Sequence, residues 1–327
     1  MIMRRREAIA VLGGALMFGP LAAKAQRSGR PACIGYLSAN PRDSAVTRAF
    51  IEELSRLGYA ENRNLKLLAY DYGVNFGGLA EKAVELVAAK PDLIVADGPE
   101  LPLKAVRAAS NAVPVVFVAV NYDPIARGYA ASLARPGGNV TGVFFRSLEV
   151  VGKQLELLRE MVPGVRRISV LWAPEVQDEF EAVQTAAKAL GLEIDAFELG
   201  SPPYDLEAVF RKLAEGAPGM LLVLSPPYFV PLRSEVTALA LRYRLPAMFR
   251  FRPYAEAGGL MSFGVDSLAM RRLAASYVAK LLNGATPADL PIERADKFEL
   301  VINAKTASVL GLAVPGALRA RADEVIE

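Results

Sequence analysis

A regular alternation between short apolar runs and amphipathic segments constrains the fold of this chain most strongly. Residues 33–37 form an apolar run, and residues 46–57 then place apolar side chains at steps of four, four and three, the spacing of one helical face. The same order recurs through residues 65–120 and again through residues 151–249. The apolar runs lack alternate polar positions, as expected for strands that helices cover on both faces. Single helices between strands imply parallel pairing with right-handed crossovers, so the sequence predicts an α/β protein with two doubly wound parallel-sheet lobes in succession.

The first 25 residues have the three-part layout of a removable signal peptide. Arginines at 4–6 precede an apolar stretch over 8–23, and Ala23-Lys24-Ala25 places small residues before a cleavage point at Gln26. Glycines and a proline interrupt the apolar stretch, which argues against the alternative of a permanent membrane anchor. The sequence therefore predicts export to the periplasm, with a mature chain that is soluble and monomeric.

The arginines of the leader leave two export routes open. Adjacent arginines followed by Glu7-Ala8-Ile9 resemble a twin-arginine signal, although a bulky apolar residue is expected where Ala8 lies. General secretion is the alternative. Cys33 lies too far beyond the apolar stretch to anchor a lipid, and we expect it to pack as a small hydrophobe in the first strand.

Charge and composition exclude several classes of function. The net charge is +3, but the leader holds four of the 38 basic residues and one of the 35 acidic ones, so the remainder is neutral. A neutral body gives no electrostatic reason to expect a nucleic acid partner. The chain has no histidine and one cysteine, which excludes a Cys/His zinc cluster, a Ser-His-Asp triad and an intrachain disulfide. We expect no metal and no cofactor, although carboxylate-only metal sites and paired-carboxylate chemistry stay open on composition alone.

The predicted topology also locates a binding site. Ligands of open parallel sheets lie beyond the carboxyl ends of the strands, where loops and helix N-termini converge. In the first lobe this rule selects Ser38, Asn40, Asp97, Gly98, Asn121 and Asp123. In the second lobe it selects Trp172, Ser225, Tyr228, Phe251 and Arg252.

Each chemistry-bearing candidate has a structural alternative. Arg252, or the neighbouring Arg250, has the geometry to pair with a ligand carboxylate, and the alternative is a surface arginine. Trp172 or Tyr228 is suited to stacking on a flat ring, although Trp172 is equally suited to a core or hinge. Asp97 and Asp123 either accept from a ligand amine or hydroxyl, or cap the helix that follows.

Several short motifs occur in order along the whole chain. They are Phe117-Val118 with Asp123-Pro124, RPGGNVTGV at 135–143, AGGLMSFG at 257–264, ADLP at 288–291, KFELVIN at 297–303 and RADEVI at 321–326. With these motifs the chain resembles the periplasmic substrate-binding components of ABC transporters, in the subgroup similar to tryptophan- and tyrosine-binding proteins.

The resemblance implies a type I periplasmic-binding-protein fold, in which three crossing segments join two lobes that close over one solute. Lobe 1 is then expected at 31–145 plus about 262–288, and lobe 2 at about 146–261 plus 289–327. The resemblance also implies a non-enzymatic protein that binds aromatic amino acids or related small carboxylates and delivers them to an ABC permease in the inner membrane. The chain departs from the family pattern at the cleft positions 97–100, 121–122 and 172–174, which leaves the solute open.

Two other functions fit parts of the pattern. A periplasmic sensor has the same two-lobed form and presents it to a membrane receptor. An exported hydrolase has a candidate carboxylate pair in Asp97 and Asp123, but the chain has no G-x-S-x-G elbow. The leader, and the lack of a helix-turn-helix segment before Cys33, argue against a transcriptional regulator with this fold.

Overall fold

The predicted alternation of strands and helices is present in the computed structural model, which describes residues 30–73, 76–146, 148, 150–200, 204–216, 219–224 and 227–327. The predicted signal peptide at 1–25 lies outside the described residues. The strands are β1 (Ala32–Ser38), β2 (Leu65–Asp71), β3 (Leu93–Gly98), β4 (Val115–Val120), β5 (Val140–Phe145), β6 (Arg167–Trp172), β7 (Glu193–Glu198), β8 (Met220–Val223), β9 (Ala247–Phe249), β10 (Met261–Val265), β11 (Glu293–Arg294), β12 (Phe298–Asn303) and β13 (Glu324–Ile326).

These strands form two separate sheets. The first has the order β11-β5-β4-β3-β1-β2, and all of its neighbours are parallel. The second has the order β13-β12-β10-β9-β8-β6-β7, parallel except where β12 runs antiparallel to β10. Every residue of β1, β3, β4 and β5 is buried, as expected for strands with helices on both faces.

Helices follow most strands and cover the sheets. They are α1 (Ala45–Arg56), α2 (Leu79–Ala88), α3 (Glu100–Ala109), α4 (Val151–Met161), α5 (Gln177–Leu190), α6 (Leu206–Glu215), α7 (Arg233–Arg242), α8 (Arg252–Glu256), α9 (Ser267–Leu282), α10 (Ala304–Leu310) and α11 (Gly316–Arg321), with 3₁₀ turns at Pro174–Val176 and Pro227–Leu232. No helix in the described part of the chain combines the length and the apolar character that crossing a bilayer requires.

Helix α1 shows how the sequence specifies these elements. The hydroxyl of Ser44 accepts a hydrogen bond from the backbone N–H of Thr47 at 3.3 Å, which caps the helix. Phe50 and Leu54, on the predicted apolar face, are fully buried. The backbone turns into a positive φ of 97° at Gly58, just after the helix ends. Glycine adopts this conformation without strain. Cys33 is buried in β1, as the sequence predicted.

The chain passes between the two sheets three times. It leaves the first sheet after β5, returns to it between β10 and α9, and leaves again between β11 and β12. The second and third crossings are bonded to each other, because Asp266 N–H donates to the carbonyl of Lys297 at 2.9 Å and the Asp266 carboxylate pairs with Lys297 Nζ at 2.8 Å. The sequence suggested lobe boundaries near 262 and 289, whereas sheet membership favours about 266 and 296. We therefore propose lobes of 31–145 plus 266–295, and 146–265 plus 296–327.

Apolar packing continues from one lobe into the other. One cluster of buried side chains includes Ile34 and Phe50 of the first lobe and Phe249 and Phe251 of the second. Phe145, at the first crossing, meets Phe298, at the third, with ring centroids 6.0 Å apart. Residues Pro31–Glu327 accordingly form one compact unit in which the lobes are in contact.

Candidate functional site

The strand orders create one crevice at the carboxyl edge of each sheet. β1 lies between β2 and β3, so the connections from β1 and β3 leave in opposite directions, and β6 lies likewise between β7 and β8. At such a switch point the loops after neighbouring strands separate, and this leaves room for a ligand. Ser38, the last residue of β1, lies in register with Asp97, the second-last residue of β3.

A cavity of about 70 Å³ lies between the lobes at these edges. Both lobes contribute to its walls, and we call it the inter-lobe cavity. It is lined by Asn40, Val46, Val120, Ser267 and Arg271 from the first lobe and by Val230, Phe251, Pro253 and Val265 from the second. Most of the wall is apolar, and Arg271 is the one charged side chain among these described lining residues.

The charge of Arg271 is held by a buried carboxylate behind the cavity wall. Asp97 is fully buried, and its Oδ1 accepts from Arg271 Nη2 at 2.6 Å while its Oδ2 accepts from Arg271 Nε at 3.3 Å. Asp97 Oδ2 also accepts from the hydroxyls of Tyr36 at 2.7 Å and Ser38 at 3.3 Å. The carboxylate is therefore surrounded by donors that belong to the protein, and both of its oxygens are occupied.

This network matches the electrostatics expected for a buried pair. Burial, followed by the adjacent Asp97 charge, raises the pKa of Tyr36 well above its ordinary value, so the phenol stays protonated and donates. Burial lowers the pKa of Arg271, but Asp97 more than offsets this, and the net direction is upward. Arg271 therefore remains a cation. Within the described residues its hydrogen bonds all go to Asp97 through Nε and Nη2, which leaves Nη1 without one.

Asn40 connects the cavity wall to the Asp97–Arg271 pair through Ser38. Its backbone N–H and its side-chain amide both donate to the Ser38 hydroxyl, at 3.1 and 3.3 Å. The chain of donors runs from Asn40 through Ser38 to Asp97, and Arg271 approaches Asp97 from α9. Asn40 therefore joins the cavity wall to the buried pair, and its position depends on both.

Three other first-lobe candidates have structural contacts. Gly98 has φ 131°, and a Cβ there would lie 2.6 Å from the Tyr72 hydroxyl, so the position requires glycine. Asn121 is in the left-handed region, with φ 66°, directly after β4. Asp123 Oδ1 accepts from the backbone N–H groups of Ile125 at 2.8 Å and Ala126 at 3.1 Å, so it caps a turn rather than a helix.

The second-lobe candidates divide in the same way. Phe251 lines the inter-lobe cavity. Trp172 stacks on Phe180 of α5, with ring centroids 4.5 Å apart and an interplanar angle of 6°, inside the second lobe. Arg252 forms ion pairs with three carboxylates of its own lobe. Ser225 lies outside the described residues, and so does the side chain of Tyr228.

Arg250, the alternative carboxylate partner, is not a surface residue. It is 1% exposed and forms an ion pair with Glu179, which is equally buried on α5. Burial lowers its pKa to about 10. Its charge therefore serves the packing of α5 on the second sheet, and the surface alternative does not apply to Arg250.

The structure brings together residues that the sequence did not single out. They are Val46, Val120, Val230, Pro253, Val265, Ser267 and Arg271. Arg271 carried a usable signal, because it lies three and four residues before the buried Ala274 and Ala275, on the apolar face of α9. Its partner Asp97 is 174 residues away, however, and no local pattern connects the two.

The two candidate carboxylates of the first lobe already have partners within the protein. The candidate carboxylates Asp97 and Asp123 are each engaged, one by Arg271 and the other by turn N–H groups. Among the described residues, no group of three or more Cys, Asp or Glu side chains is placed to hold a metal ion.

Comparisons with known proteins agree with this description. The family model described as ABC transporter substrate binding protein matches residues 33–326. A tyrosine-binding protein from Clostridioides difficile (strain R20291) is 25% identical over 284 residues, which cover 85% of this chain and 80% of that protein.

Solved structures show the same fold. A conserved domain protein from Vibrio cholerae has a TM-score of 0.80 at 25% identity, covering 90% of this chain and all of that one. An ABC domain from Streptococcus pneumonia in complex with L-Trp also has a TM-score of 0.80, at 24% identity and with the same coverage. The type I periplasmic-binding fold expected from the sequence is confirmed.

Proposed function

Because the chain belongs to the family of ABC transporter substrate-binding proteins, we propose that it binds a small solute in the inter-lobe cavity and delivers it to an ABC permease in the inner membrane. Proteins of this family bind solutes and are not enzymes. The observation that carries the proposal is the cavity itself, because it lies at the carboxyl edges of both sheets and takes its walls from both lobes.

Walls from two lobes connect binding to a change of shape. A solute that touches Asn40 and Arg271 on one side and Phe251 on the other contacts both lobes only when they are closed. Such a ligand favours the closed form by its differential affinity for that form. We expect opening to take place at the three crossings, which lie between β5 and α4, between β10 and α9, and between β11 and β12.

The relatives and the leader support the same function. The similar protein from C. difficile is named for tyrosine, and the similar domain from S. pneumonia was solved with L-Trp. We propose that the leader directs export to the periplasm, where the mature chain acts as a soluble monomer. Cell fractionation tests the location, and recovery of the chain only in the cytoplasm contradicts it.

The binding proposal is tested by filling the cavity. We expect Val230→Trp to place an indole in the space between the lobes and abolish solute binding, while Val309→Trp, at a position 59% exposed on α10, leaves binding intact. A solute at 100 times its Kd stabilises the folded state by about 2.7 kcal/mol and raises the melting temperature of the wild type by about 4 °C.

Small-angle scattering supplies a second measurement, since closure by the solute reduces the radius of gyration of wild type and Val309→Trp but not of Val230→Trp. Binding that survives in Val230→Trp contradicts the location. Capture of a permease by the closed form supports delivery, whereas capture of a membrane kinase favours a sensor.

A further inference from the structure

We propose that the solute is a compact, apolar monocarboxylate that carries no ammonium group, which deepens the function proposed above and rests on it. The proposal depends on what the described residues of the inter-lobe cavity offer a ligand: one cationic donor, no carboxylate in the wall, mostly apolar side chains and a small volume. The cationic donor favours the carboxylate of an amino acid, whereas the lack of a carboxylate in the described wall disfavours its ammonium group.

The cationic donor is Arg271 Nη1. The Nε and Nη2 atoms of the guanidinium both donate to the Asp97 carboxylate, which lies on the side away from the cavity. Within the described residues no acceptor bonds to Nη1. The guanidinium is more than nine-tenths buried and lines the cavity. A carboxylate oxygen is the acceptor that forms the strongest hydrogen bond with such a group.

The surrounding backbone adds positive potential. Val46 is the second residue of α1 and Ser267 is the first residue of α9, so the N-terminal turns of two long helices reach the cavity. A helix N-terminus carries about half a positive charge, which favours an anion. The Asp266 carboxylate, which caps α9, is paired with Lys297 and is not part of the cavity wall.

An ammonium group finds no counter-ion among the described residues of this site. Asp97 is fully buried, and its oxygens accept four hydrogen bonds from Tyr36, Ser38 and Arg271. No other carboxylate belongs to the described cavity wall. An ammonium held here keeps its charge without a counter-ion, which we expect to lower affinity by at least about 100-fold.

The volume limits the body of the ligand. The cavity measures about 70 Å³ and is partly open to solvent, so its volume limits the alkyl body of a ligand rather than the whole molecule. Valines at 46, 120, 230 and 265 surround the space and suit a branched alkyl group of three to four carbons. The indole of tryptophan and the phenol of tyrosine are larger than such a group, and they enter this space only if the lobes move apart.

Matched ligands test this directly with the unmodified protein. L-Valine differs from 3-methylbutanoate only by its ammonium group, and 3-methylbutanamide differs from it by the charge of the carboxylate. By calorimetry on protein freed of retained solute, we expect 3-methylbutanoate to bind at least 100-fold more tightly than L-valine and about tenfold more tightly than the amide. L-Tyrosine and L-tryptophan are expected to bind no better than L-valine.

A double variant tests the part played by Arg271. Asp97→Asn with Arg271→Met removes both charges together, so the network stays neutral. We expect it to lose the preference for the acid over the amide while retaining the amide. If it does not fold, the three matched ligands on the wild type still decide the question.

The outcomes separate this inference from the function on which it rests. Binding of L-valine, L-tyrosine or L-tryptophan as tight as that of 3-methylbutanoate overturns the inference and leaves solute binding intact. Equal affinity for the acid and the amide overturns the role of charge. If no ligand of the set binds, the inference fails, and mass spectrometry of the denatured protein then decides the function. A released small molecule supports solute binding, and its absence counts against both.

Discussion

Breaking the Asp97–Arg271 pair on one side should destabilise the fold far more than removing both charges. In Asp97→Asn the guanidinium of Arg271, 6% exposed, keeps its charge but loses the carboxylate that accepts from Nε and Nη2. In Arg271→Met the buried Asp97 carboxylate keeps only the Tyr36 and Ser38 hydroxyls. Each single substitution leaves one uncompensated buried charge, so we expect each to lower the free energy of unfolding by about 3–5 kcal/mol.

The double variant Asp97→Asn/Arg271→Met leaves no buried charge. Methionine fills much of the arginine volume, and asparagine still accepts from Tyr36, so we expect a loss of only about 1–3 kcal/mol. The coupling energy between the two sites is then at least about 3 kcal/mol, close to the upper end of the range for residues in contact.

Urea titration followed by circular dichroism measures these free energies, provided that all variants show the same slope with denaturant. Arg272→Met, on the solvent-accessible side of α9, is the matched control and should change stability by less than about 0.5 kcal/mol. If the two single losses simply add in the double variant, the pair is not the unit that the structure describes.

Two further predictions concern the backbone at the site and the third crossing. Gly98→Ala should lower the free energy of unfolding by about 1–3 kcal/mol in urea titration, because a φ of 131° is strained for alanine and its Cβ would clash with the Tyr72 hydroxyl. Gly138→Ala is the control and should be neutral, because no atom lies within 4 Å of the added Cβ. Equal losses in the two variants would contradict this explanation. Glu299 has its pKa raised from 4.5 to about 7, first by burial and next by Asp266, against the opposing effect of Arg252. A carboxyl with a raised pKa stabilises the folded state while it is protonated, so its contribution is present below about pH 4.5 and is lost as the pH rises to about 7. Relative to wild type, Glu299→Gln should therefore gain stability between pH 5 and pH 8 in thermal unfolding, and a difference that stays constant with pH contradicts the assignment.

Local patterns in the sequence determined most of the fold. The apolar run at 33–37 and the helical spacing at 46–57 predicted β1 and α1 to within about two residues, because such elements are specified by the burial of neighbouring positions. Parallel pairing followed from single helices between strands. Knowing that ligands bind at the carboxyl edge was enough to select Asn40 and Phe251, which line the inter-lobe cavity, and Ser38 and Asp97, which support it from behind.

Only the tertiary structure decided what those residues do. Whether Asp97 caps a helix, meets a ligand or pairs with a cation depends on what lies opposite it, and Arg271 is brought there by a helix that returns to the first lobe 174 residues later. The ring of Trp172 stacks on Phe180 within the second lobe. The guanidinium of Arg252 pairs with carboxylates from three separate segments. The alternation of strands and helices could be predicted from the sequence because it depends on near neighbours. The charge and shape of the site could not, because they depend on which distant side chains the three crossings bring into contact.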